Sequence, residues 1–353
     1  MSPAPDPARQ QDGAAEPGLP WVRRAVEFGD RHQIAVYLLA LAAGGLVGVL
    51  APQRSPALGP AIEPVLAVLL FATFRQVPFT ALAQAFRDGR FLVAVLAVNF
   101  LVVPLVVLGL TRLLPDDRAV LLGALLVLLA PCIDYVIVFS GLAGGSSQRL
   151  LAAAPLLMLA QLALLPVYLL LFVGRDLADI VDPGPFVRAF VVLIVIPLTL
   201  ALLTELLARR HRAGAFVTQV LTGLMVVLLA ATLFLVVASQ TPQVRDSLGT
   251  VLRVVPVYAV FAIVMAAVGR VAARLFRLDA PAGRALLFSG VTRNSLVVLP
   301  LALALPDRYA LAAVIVVTQT LVELVAMLVL VRLVPLLLPR PTATLAGAGD
   351  RAA

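Results

Sequence analysis

Apolar runs of membrane-spanning length recur down this chain, and no other feature restricts its fold as strongly. From residue 33 to residue 338 they follow one another, separated by short stretches rich in Arg, Pro or Gly. A helix crossing the hydrocarbon core needs about 20 mainly apolar residues, and in lipid only helices and closed barrels satisfy their own backbone. With 62% of its 353 residues hydrophobic and 13% charged, the chain lacks the polar groups to cover a soluble domain. The sequence predicts an all-α polytopic membrane protein whose first partner is the lipid bilayer.

Ten transmembrane helices are expected: Gln33–Leu50, Ala61–Phe74, Phe91–Leu113, Val120–Ala143, Leu150–Val173, Pro185–Ala208, Gly214–Ser239, Leu248–Leu275, Pro281–Leu305 and Tyr309–Leu338. An even number places both termini on one side. All 27 basic residues are arginine; with the N-terminus inside, eighteen fall on the cytoplasmic side, eight outside and one, Arg293, within a span. The positive-inside rule then puts both termini in the cytoplasm, and a multi-pass protein of the inner (plasma) membrane is expected. Residues 1–32 and 339–353 read as cytoplasmic tails, and the first thirty residues lack the apolar stretch of a signal peptide.

The net charge of +8 does not point to nucleic acid, because the arginines form no patch on a soluble module. The single cysteine, Cys132, excludes an intrachain disulfide, and His32 and His211 sit at helix ends beside arginines, so no histidine metal site is expected. No span carries a His-Glu-x-x-His pair or a serine with a base, so the chain is not read as an enzyme, and no motif asks for a cofactor.

Polar residues interrupt spans four and nine where apolar runs should continue. In span four, Pro131 lacks an amide hydrogen and disfavours helix at Ala130, so the helix should break there, beside Cys132 and Asp134. In span nine, Gly290, Thr292, Arg293, Asn294 and Ser295 form a polar cluster with apolar residues on both sides. The interruptions occupy matching places, fourth of the first five spans and fourth of the second five. The expected fold is therefore two inverted five-helix repeats, 33–173 and 174–338, with broken crossing helices four and nine; such pairs mark the binding site of secondary transporters. A mid-span carboxylate costs roughly 2.5–3.5 kcal/mol even on lenient insertion scales, so Arg293 and Asp134 are expected to pair where the breaks cross. Glu323, one turn from Gln319, is a second costly group. Cys132 to Gln161 and Asn294 to Glu323 are both 29 positions, which makes Gln161 and Glu323 equivalent sites flanking the crossing. Asn99, in span three, reads as a residue that hydrogen-bonds a neighbouring helix rather than a ligand.

These residues resemble the bile acid/arsenite/riboflavin transporter superfamily over about residues 33–338, most closely the arsenite-efflux carriers of the arsenical-resistance type related to the bile acid:sodium symporters. Ala130-Pro131-Cys132 matches that family's Ala-Pro-Cys motif, NFLVVP (Asn99–Pro104) is similar to its Asn-Trp-x-x-x-Pro stretch, and LVELV (Leu321–Val325) to its Leu-Val-Glu-Val-Pro segment. The chain departs from it at Arg293-Asn294-Ser295-Leu296, where arsenite carriers have an Asn-Asn pair followed by an aromatic residue and a glutamate.

The resemblance implies a secondary active transporter rather than a receptor, with arsenite or antimonite as cargo. A soft, neutral trivalent hydroxide would be drawn to Cys132, so any metal there is transported rather than resident. Asn294 and Arg293 would complete the substrate site. Proton-coupled antiport follows if Glu323 is the proton carrier and the Asp134–Arg293 pair, flanked by Gln161, is the gate. The alternative is a small organic anion, its carboxylate held by Arg293 and by half-helix N-termini.

Overall fold

The computed structural model describes residues 35–37, 39–76, 87–133, 135–174, 188, 191–208 and 212–339; the tails and Asp134 lie outside them. The described residues are mostly helical, and their only pairing of extended backbone is one isolated bridge between Pro131 and Arg293. We number the helices α1 (39–50), α2 (Gly59–Gln76), α3 (Gly89–Thr111), α4 (Arg118–Leu128), α5 (Tyr135–Leu142), α6 (Ser147–Val173), α7 (191–208), α8 (Arg212–Asp246), α9 (Leu248–Leu275), α10 (Ala280–Val291), α11 (Ser295–Leu303) and α12 (Leu311–Leu337).

Among the described residues α3, α6, α9 and α12 are each long and apolar enough to cross a bilayer. Large apolar side chains stand exposed on the perimeter, among them Leu171, Ile263 and Leu275, as a lipid-facing surface requires. The expected span Leu248–Leu275 coincides with α9, whereas spans four and nine each divide into two short helices, α4 with α5 and α10 with α11.

Two packing groups are visible. Helices α2, α7 and α8 pack on one another, and α9, α10, α11 and α12 pack together with α4. Helix α1 lies on α8 through Gly44 and Gly48, where an added Cβ would come within 2.7 Å of the Phe234 carbonyl oxygen and 2.4 Å of Thr241. Small residues four apart permit this close approach in a membrane helix pair. Helix α4 meets α12 in the same way at Gly123, where a Cβ would lie 2.6 Å from the Ala312 carbonyl oxygen.

Proline also shapes α3. Pro104 has no N–H to give the carbonyl of Phe100, four residues back, and the helix widens into a π-turn over Val98–Val102. The Tyr168 hydroxyl donates to the freed Phe100 carbonyl at 2.5 Å. This widened turn carries Asn99, which is wholly buried.

Candidate functional site

The two helix breaks meet, and nearly every backbone group they release can be traced. In a continuous helix the Cys132 amide would donate to the Leu128 carbonyl. It donates instead to the Thr292 carbonyl at 3.4 Å, and the Asn294 amide donates to the Ala130 carbonyl at 2.8 Å. These bonds form the antiparallel bridge between Pro131 and Arg293. On the second break the Arg293 amide would have bonded Ser289 and the Asn294 amide would have bonded Gly290. Both have turned away, the Arg293 N–H donating to Glu323 Oε2 at 2.8 Å. The carbonyls of Leu128, Ser289 and Gly290 are thereby left without their helical donors, a cost of about 1–3 kcal/mol each if nothing replaced them.

The Arg293 side chain replaces them. Its Nη2 donates to the carbonyls of Ser289 (2.7 Å) and Gly290 (2.8 Å) and to Asn99 Oδ1 (2.8 Å), and its Nη1 donates to the Leu128 carbonyl (3.3 Å). The guanidinium lies 5.6 Å from the centre of the Phe261 ring, and the residue has no exposed surface. Asn99 completes the set by donating through Nδ2 to Ser289 Oγ and to the Val95 carbonyl, both at 2.9 Å. One arginine thus closes the C-terminal ends of α4 and α10, where helix dipoles concentrate partial negative charge.

Around this centre stand the other expected site residues. Cys132 is buried in the bridge itself. Asn294 caps α11, its Oδ1 accepting from the Val297 amide at 3.3 Å, while its Nδ2 is buried without a hydrogen-bond partner, as is Ser295 Oγ. Glu323 is buried as expected, but its Oε2 accepts from both the Arg293 N–H and Gln319 Nε2, so it is not an unpaired carboxylate. Gln161 is buried in α6 with an unpartnered Oε1, and among the described residues no hydrogen bond ties it to the crossing. The expected Asp134–Arg293 contact falls on a residue outside the described ones.

Three contributors were not assigned to the site from sequence. Ser289 lies one helical turn before Arg293 on the same face, a spacing that could have drawn attention to it. Asn99, expected to hydrogen-bond a neighbouring helix, does so through Ser289 and also accepts from Arg293. Phe261 had no signal beyond ordinary apolar patterning.

A narrow crevice passes beside the crossing between α1 and α8 on one side and α11 and α12 on the other. Its wall includes Leu41, Leu233, Val236, Ser295, Val317 and Thr320. At one end of the bundle Arg149, in the first turn of α6, bridges Asp88 at 2.7 Å and Asp279 at 2.6 Å, the residues that cap α3 and α10. Among the described residues no group of three or more His, Cys, Asp or Glu is placed to hold a metal ion.

Broken helices joined through a buried polar crossing, within an all-helical membrane protein, define the class of a membrane carrier. The chain belongs to the sodium bile acid symporter family, whose model matches residues 63–247, and it is a transporter of the bile acid symporter type. The match takes in Cys132 and ends before α9, so Arg293 and Glu323 lie beyond it. A comparison with curated proteins finds no match.

Proposed function

We propose that this transporter exports a small, neutral, hydroxylated solute, trivalent arsenic or antimony hydroxide being the cargo that Cys132 favours, by proton-coupled antiport. The observation that carries the reading is the commitment of Arg293 to four neutral oxygens. An organic anion held through Nη2 would have to draw it off carbonyls that have no helical donor, at about 1–3 kcal/mol for each one re-exposed. A neutral hydroxide needs no cation. Asn294 Nδ2 and Ser295 Oγ, buried and unpartnered, are a donor and a donor-acceptor suited to hydroxyl groups. Cys132, in the same bridge, is a soft ligand for a soft metalloid. The small organic anion held by Arg293 stands as the runner-up.

Glu323 links a proton to the crossing. A proton placed on Oε2 competes with the Arg293 N–H and Gln319 Nε2, which both donate to that oxygen, so proton loading loosens the second break and unloading re-forms it. Asp134 is assigned the role of counter-ion to Arg293, and the pair that of a gate flanked by Gln161. Two inverted repeats, 33–173 and 174–338, rocking about the crossing would give alternating access. The arginine distribution supports an inner-membrane orientation with both termini in the cytoplasm.

The test is arsenite accumulation in arsenite-sensitive bacterial cells. Wild type should lower cellular arsenite, Cys132→Ser should not, and Glu323→Gln should abolish the dependence of efflux on pH. If wild type matches empty cells while present in the membrane, arsenite is the wrong cargo and the organic anion takes its place.

A further inference from the structure

We infer that the Arg293 guanidinium is a tethered cation filling what would otherwise be a cation site, so that this carrier operates without sodium and its Arg293-truncated form acquires a site for a free cation. Four oxygens converge on the guanidinium: the carbonyls of Leu128, Ser289 and Gly290, and Asn99 Oδ1. Three of them are carbonyls released by helix breaks, at the C-terminal ends of α4 and α10. In broken-helix carriers, unwound carbonyls and half-helix C-termini are the groups that coordinate a coupling sodium.

The sodium that the family's description implies does not fit at this set of oxygens. Arg293 is fully buried, and its Nη2 alone takes three of the four at 2.7–2.8 Å. A second monovalent cation against the same oxygens would meet a fixed positive charge at close range in a medium of low dielectric. The Phe261 ring, facing the guanidinium at 5.6 Å, suits a weakly hydrated planar cation. Arginine can hold this place because it stays charged at every accessible pH and offers five donors in a fixed fork. The tether means that the charge never leaves with the cargo. Cation release, the step by which a free ion would reset the site, is absent from the cycle.

The inference does not depend on the cargo, so a melting measurement without substrate decides it whichever way the arsenite experiment falls. Purified wild type and Arg293→Ala are melted in sodium chloride, in choline chloride and in choline chloride with methylguanidinium. Wild type should melt at one temperature in sodium and choline. Arg293→Ala should melt lower in choline and recover by about 5 °C with sodium or methylguanidinium, as expected when a ligand binds only the folded state. Arg293→Gln, which keeps amide donors for the carbonyls, serves where the alanine variant does not accumulate. Recovery of either variant by an added cation supports the inference. Variants that no cation restores, or that accumulate in none of these salts, overturn it, and so does a wild type that sodium itself stabilises to a similar degree.

Discussion

Replacing Asn99 with alanine isolates the bond that fixes the guanidinium from the side of α3. The substitution removes one charge-assisted bond, Arg293 Nη2 to Asn99 Oδ1 at 2.8 Å, and one neutral bond, Asn99 Nδ2 to Ser289 Oγ at 2.9 Å. Bonds to a charged group contribute about 1.5–3 kcal/mol, whereas neutral side-chain bonds between membrane helices average about 0.6 kcal/mol. The local bond to Val95 disappears together with its donor and leaves one carbonyl in a widened turn. Asn99→Ala should therefore cost about 2–4 kcal/mol, with most of the loss on the charged bond. Ser289→Ala removes only the neutral partner and should cost about 0.6 kcal/mol. Heating the detergent-solubilised proteins and following the surviving folded fraction by size exclusion gives apparent midpoints. The asparagine variant should fall by about 5 °C or more and the serine variant by about 1–2 °C. Equal losses would refute the reasoning, because the amide oxygen would then contribute nothing to holding a buried charge.

Three further outcomes follow from the same geometry. The Arg149 guanidinium, hydrogen-bonded to Asp279, holds the Asp279 carboxyl below the ordinary carboxylate range; this stabilisation is present above the unfolded carboxylate range and is lost as pH falls through the depressed folded value. Melting curves of wild type and Asp279→Asn, which keeps the α10 cap, should thus differ at neutral pH and converge in acid, with a small difference because the side chain is 55% exposed. Gly123→Ala should destabilise by about 1–3 kcal/mol, since its Cβ would lie 2.6 Å from the Ala312 carbonyl oxygen; Gly249→Ala, where an added Cβ meets open space, should not. Tyr258→Phe removes a hydroxyl donating to the Ile315 carbonyl at 3.1 Å and should cost about 0.6–1 kcal/mol, read from the same thermal midpoints.

Much of the architecture was legible in the sequence because lipid enforces simple rules. A run of twenty apolar residues has one economical conformation in a bilayer, so α9 could be placed at Leu248–Leu275 from composition alone. Pro131 has no amide hydrogen wherever it sits, so the end of α4 could be foreseen, as could the cost of Arg293 within a span. What the sequence could not name was the recipient of each released group. Removing the Leu128, Ser289 and Gly290 carbonyls from their helical bonds creates a demand, but any donor within reach could meet it. The donor is a guanidinium 165 positions from Leu128, and the amide oxygen that steadies it is 194 positions away in a π-turn of α3. Periodicity and propensity are local along the chain, whereas hydrogen bonds between distant helices depend on how those helices cross. The class of protein and its helices were therefore fixed by the sequence's local chemistry, and only the tertiary crossing decided that Arg293 caps two half-helices and that Glu323 receives its backbone amide.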